Sequence, residues 1–360
     1  MGRLGRQALI SPARLIAFDV LRRVHGGGYA SDLLLLKSAE LGKRDAGLAE
    51  EIVMGCLRYQ AQLDYLIAKL ARVEKLDPEV RIALRMGIYQ LRYLSRIPPN
   101  AAVQESVELV KRARKRSATG FVNAVLRKVN RKPETWPDRA TRLSCPEWLL
   151  ESWERQFGVE TAEGIAGSFL KPPKRAIAST GRIQDPGSQA IVPLLGIRPG
   201  QTMLDLCAAP GNKTAQAIEA GARVIACDVH RSRLNTLQDL PCARVVLDAT
   251  QPLPFDAKFD RILVDAPCSG TGTLARNPEI RWRLAAADLE ALQAKQKAIL
   301  GNAIACLKTG GMLVYATCSL EAAENEDVIA AFPLPWKIWR RIPGHDQGDG
   351  FFAAVLNFGE

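Results

Sequence analysis

The chain has 360 residues, eight cysteines and a net charge of +11, a length that calls for two or three domains rather than one ordinary core. No run of eighteen apolar residues occurs, which excludes a spanning helix, and the basic amino terminus lacks the apolar stretch and cleavage site of a secretion signal. Without a Cys-x-x-Cys pair, neither a disulfide framework nor a zinc site is expected, and reduced thiols in a cytoplasmic protein are the simpler reading.

Residues 1–132 carry 25 Lys+Arg against 12 Asp+Glu, a net of +13, whereas the remaining 228 residues carry a net of −2. A polyanionic partner is therefore expected at the front of the chain, the alternative being a solvated basic face. This front part reads as helices. Ser11-Pro12 starts the first, with Pro12 at the first helical position, and Leu15, Phe18, Val20, Leu21 and Val24 form its apolar stripe as far as Gly26-Gly27-Gly28. Ala49 to Leu57 and Leu63 to Leu70 repeat the helical spacing, and Asp77-Pro78 opens a further helix through Ile82, Met86 and Leu91. After Pro98-Pro99-Asn100, Val103, Val107 and Val110 lead into the basic run Lys111–Arg116, and Phe121 to Val129 close an all-α module.

The pieces Arg14–Val24, Ala49–Tyr59, Arg81–Tyr93, Pro99–Val110 and the phrase Gly120–Arg127 resemble the NusB-like RNA-binding domain that opens the bacterial Sun-type RNA cytosine-5 methyltransferases. Such a module implies RNA or an assembly partner, not by itself an enzyme. Residues 133–180 read as a helical connector, broken at Lys132-Pro133, Trp136-Pro137 and Lys171-Pro172-Pro173-Lys174 and carrying a short helix after Cys145-Pro146. Members of that family have an extra α/β subdomain here. About ten residues between Pro173 and Gln184 are too few for one.

Residues 181–360 alternate strand and helix, which means a mostly parallel, doubly wound sheet. Strands are expected at Met203–Leu206, Arg223–Cys227, Arg244–Leu247, Arg261–Val264 and Met312–Ala316, with a later pair near Trp336–Arg341 and Phe352–Phe358. Helices are expected at Gln189–Leu195, Thr214–Ala220, Ser232–Asp239, Asp288–Leu307 and Glu324–Phe332. The first strand runs through Cys207 into the small-residue turn Ala208-Ala209-Pro210-Gly211 and then the helix expected from Thr214. That arrangement puts backbone N–H groups at the carboxyl edge of the sheet, where nucleotide-like ligands bind. With one Gly and neither a Gly-x-Gly-x-x-Gly nor a Walker loop, the turn suits an adenosyl ligand without phosphate better than a dinucleotide. A tight turn with no ligand is the plainer alternative.

Asp228, Asp248 and Asp265 each stand at or just past a strand end. Asp228 follows Gly211 at a spacing suited to a ribose hydroxyl pair, although each Asp taken alone fits a helix cap. Cys268 in Asp265-Ala266-Pro267-Cys268 and Cys318 in Ala316-Thr317-Cys318-Ser319 put thiols in polar turns at the same sheet edge, which reads as reactive chemistry. Cys56, Cys145, Cys227, Cys242 and Cys306 read as structural, and three histidines offer no metal cluster.

Leu206–Thr214, Asp265–Gly272 with Arg276-Asn277-Pro278 and Arg281-Trp282, Thr317-Cys318-Ser319 with Glu324-Asn325-Glu326, and Asp349-Gly350-Phe351-Phe352 are similar, in order, to the signature motifs of the same RNA cytosine-5 methyltransferases. Asn212 departs from the family's Gly, at a place where Asn tolerates positive φ. The resemblance implies a class I, Rossmann-like methyltransferase domain that binds S-adenosylmethionine through Cys207, Ala208, Ala209, Pro210, Gly211, Asn212, Lys213, Asp228, Asp248 and Asp265. It implies attack on carbon 6 of cytosine by Cys318, adduct resolution by Cys268, and a base held near its ring nitrogen by Asp265. The residues themselves do not rank the thiols, because DNA cytosine methyltransferases attack with a Pro-Cys thiol like Cys268. A flipped or single-stranded cytidine is required. Small-subunit ribosomal RNA is the expected substrate and transfer RNA the second, with a non-catalytic RNA-binding assembly factor as the alternative class. No metal, no membrane partner and a monomer are expected.

Overall fold

The computed structural model describes residues 10–73 and 75–359; the basic amino-terminal stretch therefore lies, for residues 1–9, outside the described residues. Two compact units emerge, one from the residues up to Leu150 together with Arg276–Trp282, the other from 151–275 and 283–360.

The first unit is helical. It contains α1 (Pro12–His25), α2 (Ala30–Lys37), α3 (Lys43–Arg58), α4 (Gln60–Ala71), α5 (Pro78–Tyr93), α6 (Pro99–Arg112), α7 (Thr119–Leu126) and the short α8 (Arg139–Leu143). Proline supplies the first residue of α1, α5 and α6, where its missing N–H costs nothing and its φ is already helical. Their apolar stripes converge, and Ile52, Leu63, Leu84, Met86, Ile88 and Leu109 are fully buried. Arg14, itself buried, ties three of the helices: its Nε donates to Gln90 Oε1 at 2.6 Å and its Nη1 to Glu105 Oε1 at 2.8 Å. A buried guanidinium is tolerated because a partner meets it on each side.

Seven residues from the far half of the chain complete this unit. Glu279 Oε1 accepts from Ala30 N at 2.8 Å at the start of α2, Arg281 Nη1 donates to Ser144 O at 2.9 Å, and Trp282 Nε1 donates to Leu57 O at 3.0 Å. Glu279 and Arg281 are each 1% exposed.

The second unit begins at Glu151, within α9 (Glu147–Phe157), and continues into α10 (Val159–Ser168), the latter with no counterpart among the helices expected from the sequence. Its sheet contains β1 (Thr202–Asp205), β2 (Arg223–Asp228), β3 (Ala243–Val246), β4 (Phe259–Asp265), β5 (Leu307–Thr317), β6 (Lys337–Arg341) and β7 (Phe351–Asn357), in the order β3-β2-β1-β4-β5-β7-β6. The first five are parallel, and β7 runs antiparallel to both β5 and β6. Each face carries its own core. Leu204, Ile262 and Leu313 meet Ile299 and Leu300 on one side, while Met203, Leu263 and Val314 meet Ile191, Leu195 and Ala217 on the other. Alternate residues of each central strand thus serve opposite faces.

The long helix runs Ala286–Ala305 and the helix after the small-residue turn Asn212–Glu219, both near their expected bounds. Three expected helices are shorter. Around Pro193 only a turn at Pro186–Gln189 and a 3-10 segment at Val192–Leu195 form, since proline cannot donate within a helix. Arg231–Leu234 gives one α-turn followed by a 3-10 turn. The helix expected from Glu324 is confined to Glu326–Ile329, because Asn325 lies at φ −116°, ψ −93°, outside helical space, with its side chain drawn into other bonds.

Candidate active site

The parallel strands end along one edge, and the loops that leave them build the site. After β1 the chain turns through Cys207 to Gly211 and enters the Asn212–Glu219 helix. Ala208 N donates to Cys227 O at 2.8 Å, which pins the turn against β2. Gly211 stands at φ +98°, and a Cβ there would lie 2.6 Å from Leu237 Cγ, so conformation and space both demand glycine. Ala208 and Ala209 are buried, Pro210 is exposed, and Asn212 Nδ2 donates to Ile183 O at 3.3 Å.

Burial raises the Cys207 thiol well above its ordinary pKa, and the charges of Asp265, Asp205 and Asp228 add to that rise. Asp228 ends β2 at 4% exposure; its Oδ1 accepts from His230 N at 2.9 Å, and Arg233 Nη1 lies 3.7 Å from Oδ2. Asp248 follows β3 by two residues. It is exposed beyond the edge strand β3, and Thr250 donates to it through N (2.9 Å) and Oγ1 (2.7 Å), which hold the carboxyl below the usual range. That is the geometry of a turn cap.

Asp205 is a site residue that sequence reasoning passed over. It is fully buried, and burial pushes its carboxyl up to about 7 against the opposing bond from Thr214 Oγ1, 2.7 Å from Oδ2. Its Oδ1 has no partner of hydrogen-bonding geometry among the described residues. A buried, unsatisfied acceptor beside Cys207 and Asp228 fits a cationic ligand with hydroxyl groups. A positively charged adenosyl sulfonium with an amino group is of that kind. The only sequence signal is one charge inside an otherwise apolar strand.

Lys213 points away from any phosphate role. Its Nζ lies 2.6 Å from Asp265 Oδ2 and 5.5 Å from the centre of the Phe351 ring. Burial alone would lower its pKa; Asp265 outweighs that, with a smaller contribution from Cys318, and holds it above the ordinary lysine value. The Lys213–Asp265 pair therefore stands at the thiol end of the site.

The two predicted thiols meet. Cys268 Sγ and Cys318 Sγ are 3.4 Å apart although fifty residues separate them. They sit on loops leaving the paired strands β4 and β5, where Asp265 is in register with Ala316. Gly272 N donates to Cys318 O at 2.9 Å, and a Cβ on Gly272 would lie 2.4 Å from Gly350 O and 2.8 Å from Cys318 O. Only glycine lets these backbones touch. The contact with Cys318, then burial, holds the Cys268 thiol well above its ordinary pKa. Below the pair, Trp153 Nε1 and Ser152 Oγ donate to the buried Glu321 at 2.9 and 2.8 Å, which fastens the Cys318 loop to α9.

The sequence profile described as 16S rRNA methyltransferase RsmB/F matches residues 192–334, and that of the NusB family matches residues 11–131. The ribosomal RNA small subunit methyltransferase B of Thermus thermophilus is 37% identical over 89% of this chain and 86% of its own length. The probable ribosomal RNA small subunit methyltransferase B of Bacillus subtilis is 31% identical over 89% of this chain and 87% of its own. The crystal structure of PH0851 superposes with a TM-score of 0.79 over 97% of this chain and 99% of that one at 21% identity, a likeness of fold.

Proposed function

Because the chain belongs to the RsmB/F family of 16S rRNA methyltransferases, we propose that it methylates carbon 5 of a cytidine in small-subunit ribosomal RNA through a covalent Cys318 adduct. The observation that carries this reading is the Cys268–Cys318 contact at 3.4 Å, beside the Lys213–Asp265 pair. The protein is an RNA methyltransferase and its cofactor is S-adenosylmethionine. When bound, that cofactor supplies an electrophilic methyl group. Asp205, Asp228 and the Cys207–Gly211 turn are the residues that would hold it.

Carbon 5 of cytosine is a poor nucleophile. The Cys318 thiolate forms an S–C6 bond, and the electrons of the C5–C6 double bond move onto carbon 5 and toward the ring nitrogen. The Asp265 carboxylate holds the base near that nitrogen by accepting from the exocyclic amino group beside it. The ammonium of Lys213, 2.6 Å from the carboxylate, puts positive charge beside the ring as electrons leave carbon 6. After carbon 5 has gained its methyl group, Cys268 as thiolate takes the carbon 5 proton. The C5–C6 double bond re-forms, the S–C6 bond breaks, and Cys318 leaves as thiolate. Two thiols in van der Waals contact can serve opposite ends of one C5–C6 bond.

The net charge of +13 on residues 1–132 supports RNA capture by the helical unit. Sequencing of bisulfite-treated RNA from cells with and without the protein tests the proposal. Loss of protection at a cytidine of 16S rRNA is expected. Unchanged 16S rRNA, or a loss confined to transfer RNA, would overturn it.

A further inference from the structure

The two cysteine loops are held in register by side chains that the reaction does not use. Glu324 is fully buried, and its carboxylate reaches both loops. Oε1 accepts from Ser269 N at 2.8 Å and from Gln296 Nε2 at 3.0 Å; Oε2 accepts from Ser319 Oγ at 2.5 Å and from Ser269 Oγ. Ser269 and Ser319 are the residues immediately after Cys268 and Cys318, and their hydroxyls lie 3.1 Å apart. The Glu324 main-chain carbonyl is itself fixed by Tyr315 Oη at 2.6 Å. Next to it, Asn325 brackets Cys318: its Oδ1 accepts from Thr317 Oγ1 at 2.6 Å and its Nδ2 donates to Ser319 O at 3.0 Å. Asn325 leaves helical space to do so.

We propose that Glu324 is a positioning residue that sets the Cys268–Cys318 separation by clamping the residue after each thiol, with Asn325 fixing the direction of Cys318. This rests on the reading that both thiols act on one cytidine ring. Parallel strands hold β4 and β5 in register as far as Asp265 and Ala316; beyond them Gly272 N, donating to Cys318 O, joins the loops, and Glu324 reaches the residue after each thiol. Four donors from two loops and the long helix converge on the two oxygens of one carboxylate, so neither loop can shift without breaking bonds in a buried site. Misplacement of a reacting group by about 1 Å costs on the order of 100-fold in rate.

Glu324→Gln keeps the shape but replaces one acceptor oxygen by an amide nitrogen. In the purified full-length chain, kcat is expected to fall by about 100-fold, with the KM for RNA and the Kd for S-adenosylhomocysteine changed less than threefold. A second readout does not need methylation. Diamide, a diazene, oxidises two nearby thiols to a disulfide as its N=N bond takes up their two hydrogens and becomes a hydrazine; mass spectrometry then measures the Cys268–Cys318 cross-link. The wild type should cross-link readily and Glu324→Gln at least tenfold more slowly. If that variant does not fold, the Ser269→Ala, Ser319→Ala pair removes the same hydroxyl contacts and should show both effects. Cross-linking at the wild-type rate, or kcat within threefold of wild type, overturns the clamp. A wild-type chain that methylates no cytidine refutes the proposed function instead, and the cross-linking rate still decides the clamp.

Discussion

Cys268 and Cys318, on loops from two neighbouring parallel strands, bring their sulfur atoms to 3.4 Å. On the proposed function both thiols would act at a single pyrimidine ring, which this distance allows, and their division of labour is testable. Cys318→Ala should abolish methyl transfer and any covalent RNA species. Cys268→Ala should still permit attack and methylation but stall release, so that a protein–RNA band resistant to denaturing gels accumulates and then vanishes in the double variant. A trapped band with Cys318→Ala would reverse the assignment.

The same contact has a consequence for pH. The Cys318 sulfur and burial raise the Cys268 pKa well above the ordinary thiol value, so at neutral pH this group keeps its proton. If it must accept the carbon 5 proton, its deprotonated fraction limits release, and kcat should climb with pH beyond about 8.5, where an ordinary thiol levels off. Rapid-quench measurement of the release step from pH 6.5 to 9.5 checks this. A release rate independent of pH would remove Cys268 from that step.

Asp205 links stability to pH. Its carboxyl sits near 7 in the folded chain against an ordinary value of 3.8. Because the folded pKa is the higher one, the contribution to stability is full below about 3.8 and is lost as pH rises toward 7, at ~1.4 kcal/mol for each pH unit crossed. Without cofactor, Asp205→Asn should therefore melt higher than the wild type at pH 8 and lose that advantage near pH 4. The same variant should bind S-adenosylmethionine at least tenfold more weakly. Parallel melting curves for the two proteins across this range would count against the assignment.

Charge at the end of α6 bears on RNA. Lys111 and Lys115 are engaged by Glu108 and Asp77, whereas Arg112, Arg114 and Arg116 are exposed. Replacing these three by Gln should weaken RNA binding by an amount that shrinks as salt rises, and should flatten the salt dependence by about 0.7 to 0.9 for each phosphate left without its arginine. Fluorescence anisotropy at several salt concentrations reads this directly. An unchanged slope would move the RNA-binding face elsewhere.

Deleting the helical front would be a poor substitute for that experiment. Arg281 is 1% exposed, with its guanidinium on Ser144 O, and burial lowers its pKa to about 10. Residues 151–360 expressed alone should therefore melt well below the full chain, and Arg281→Ala in the full chain should cost on the order of 2 kcal/mol through the loss of a charged hydrogen bond. Calorimetry of the two proteins checks both. An equal melting temperature for the truncated chain would show that 276–282 needs no helical partner.

Much of this protein could be read from the order of its residues. Proline starts and apolar spacing located the helices around Phe18, Ile52 and Leu84, since a 3.6-residue period writes itself along the chain. Alternation of strand and helix gave the doubly wound sheet, and short motifs marked the Cys207–Gly211 turn and both thiols, because a small-residue turn after a buried strand is a local signal. Tertiary structure alone decided which of those groups face one another. Lys213, fifty-two residues before Asp265, belongs with the thiols, and Asp248 caps its own turn. Glu324, expected at the start of a helix, instead joins two loops, and the segment Arg276–Trp282 is built into the helical unit. A side chain's partner across the fold depends on where two backbones cross. Spacing along one chain records local periodicity and carries no measure of that distance.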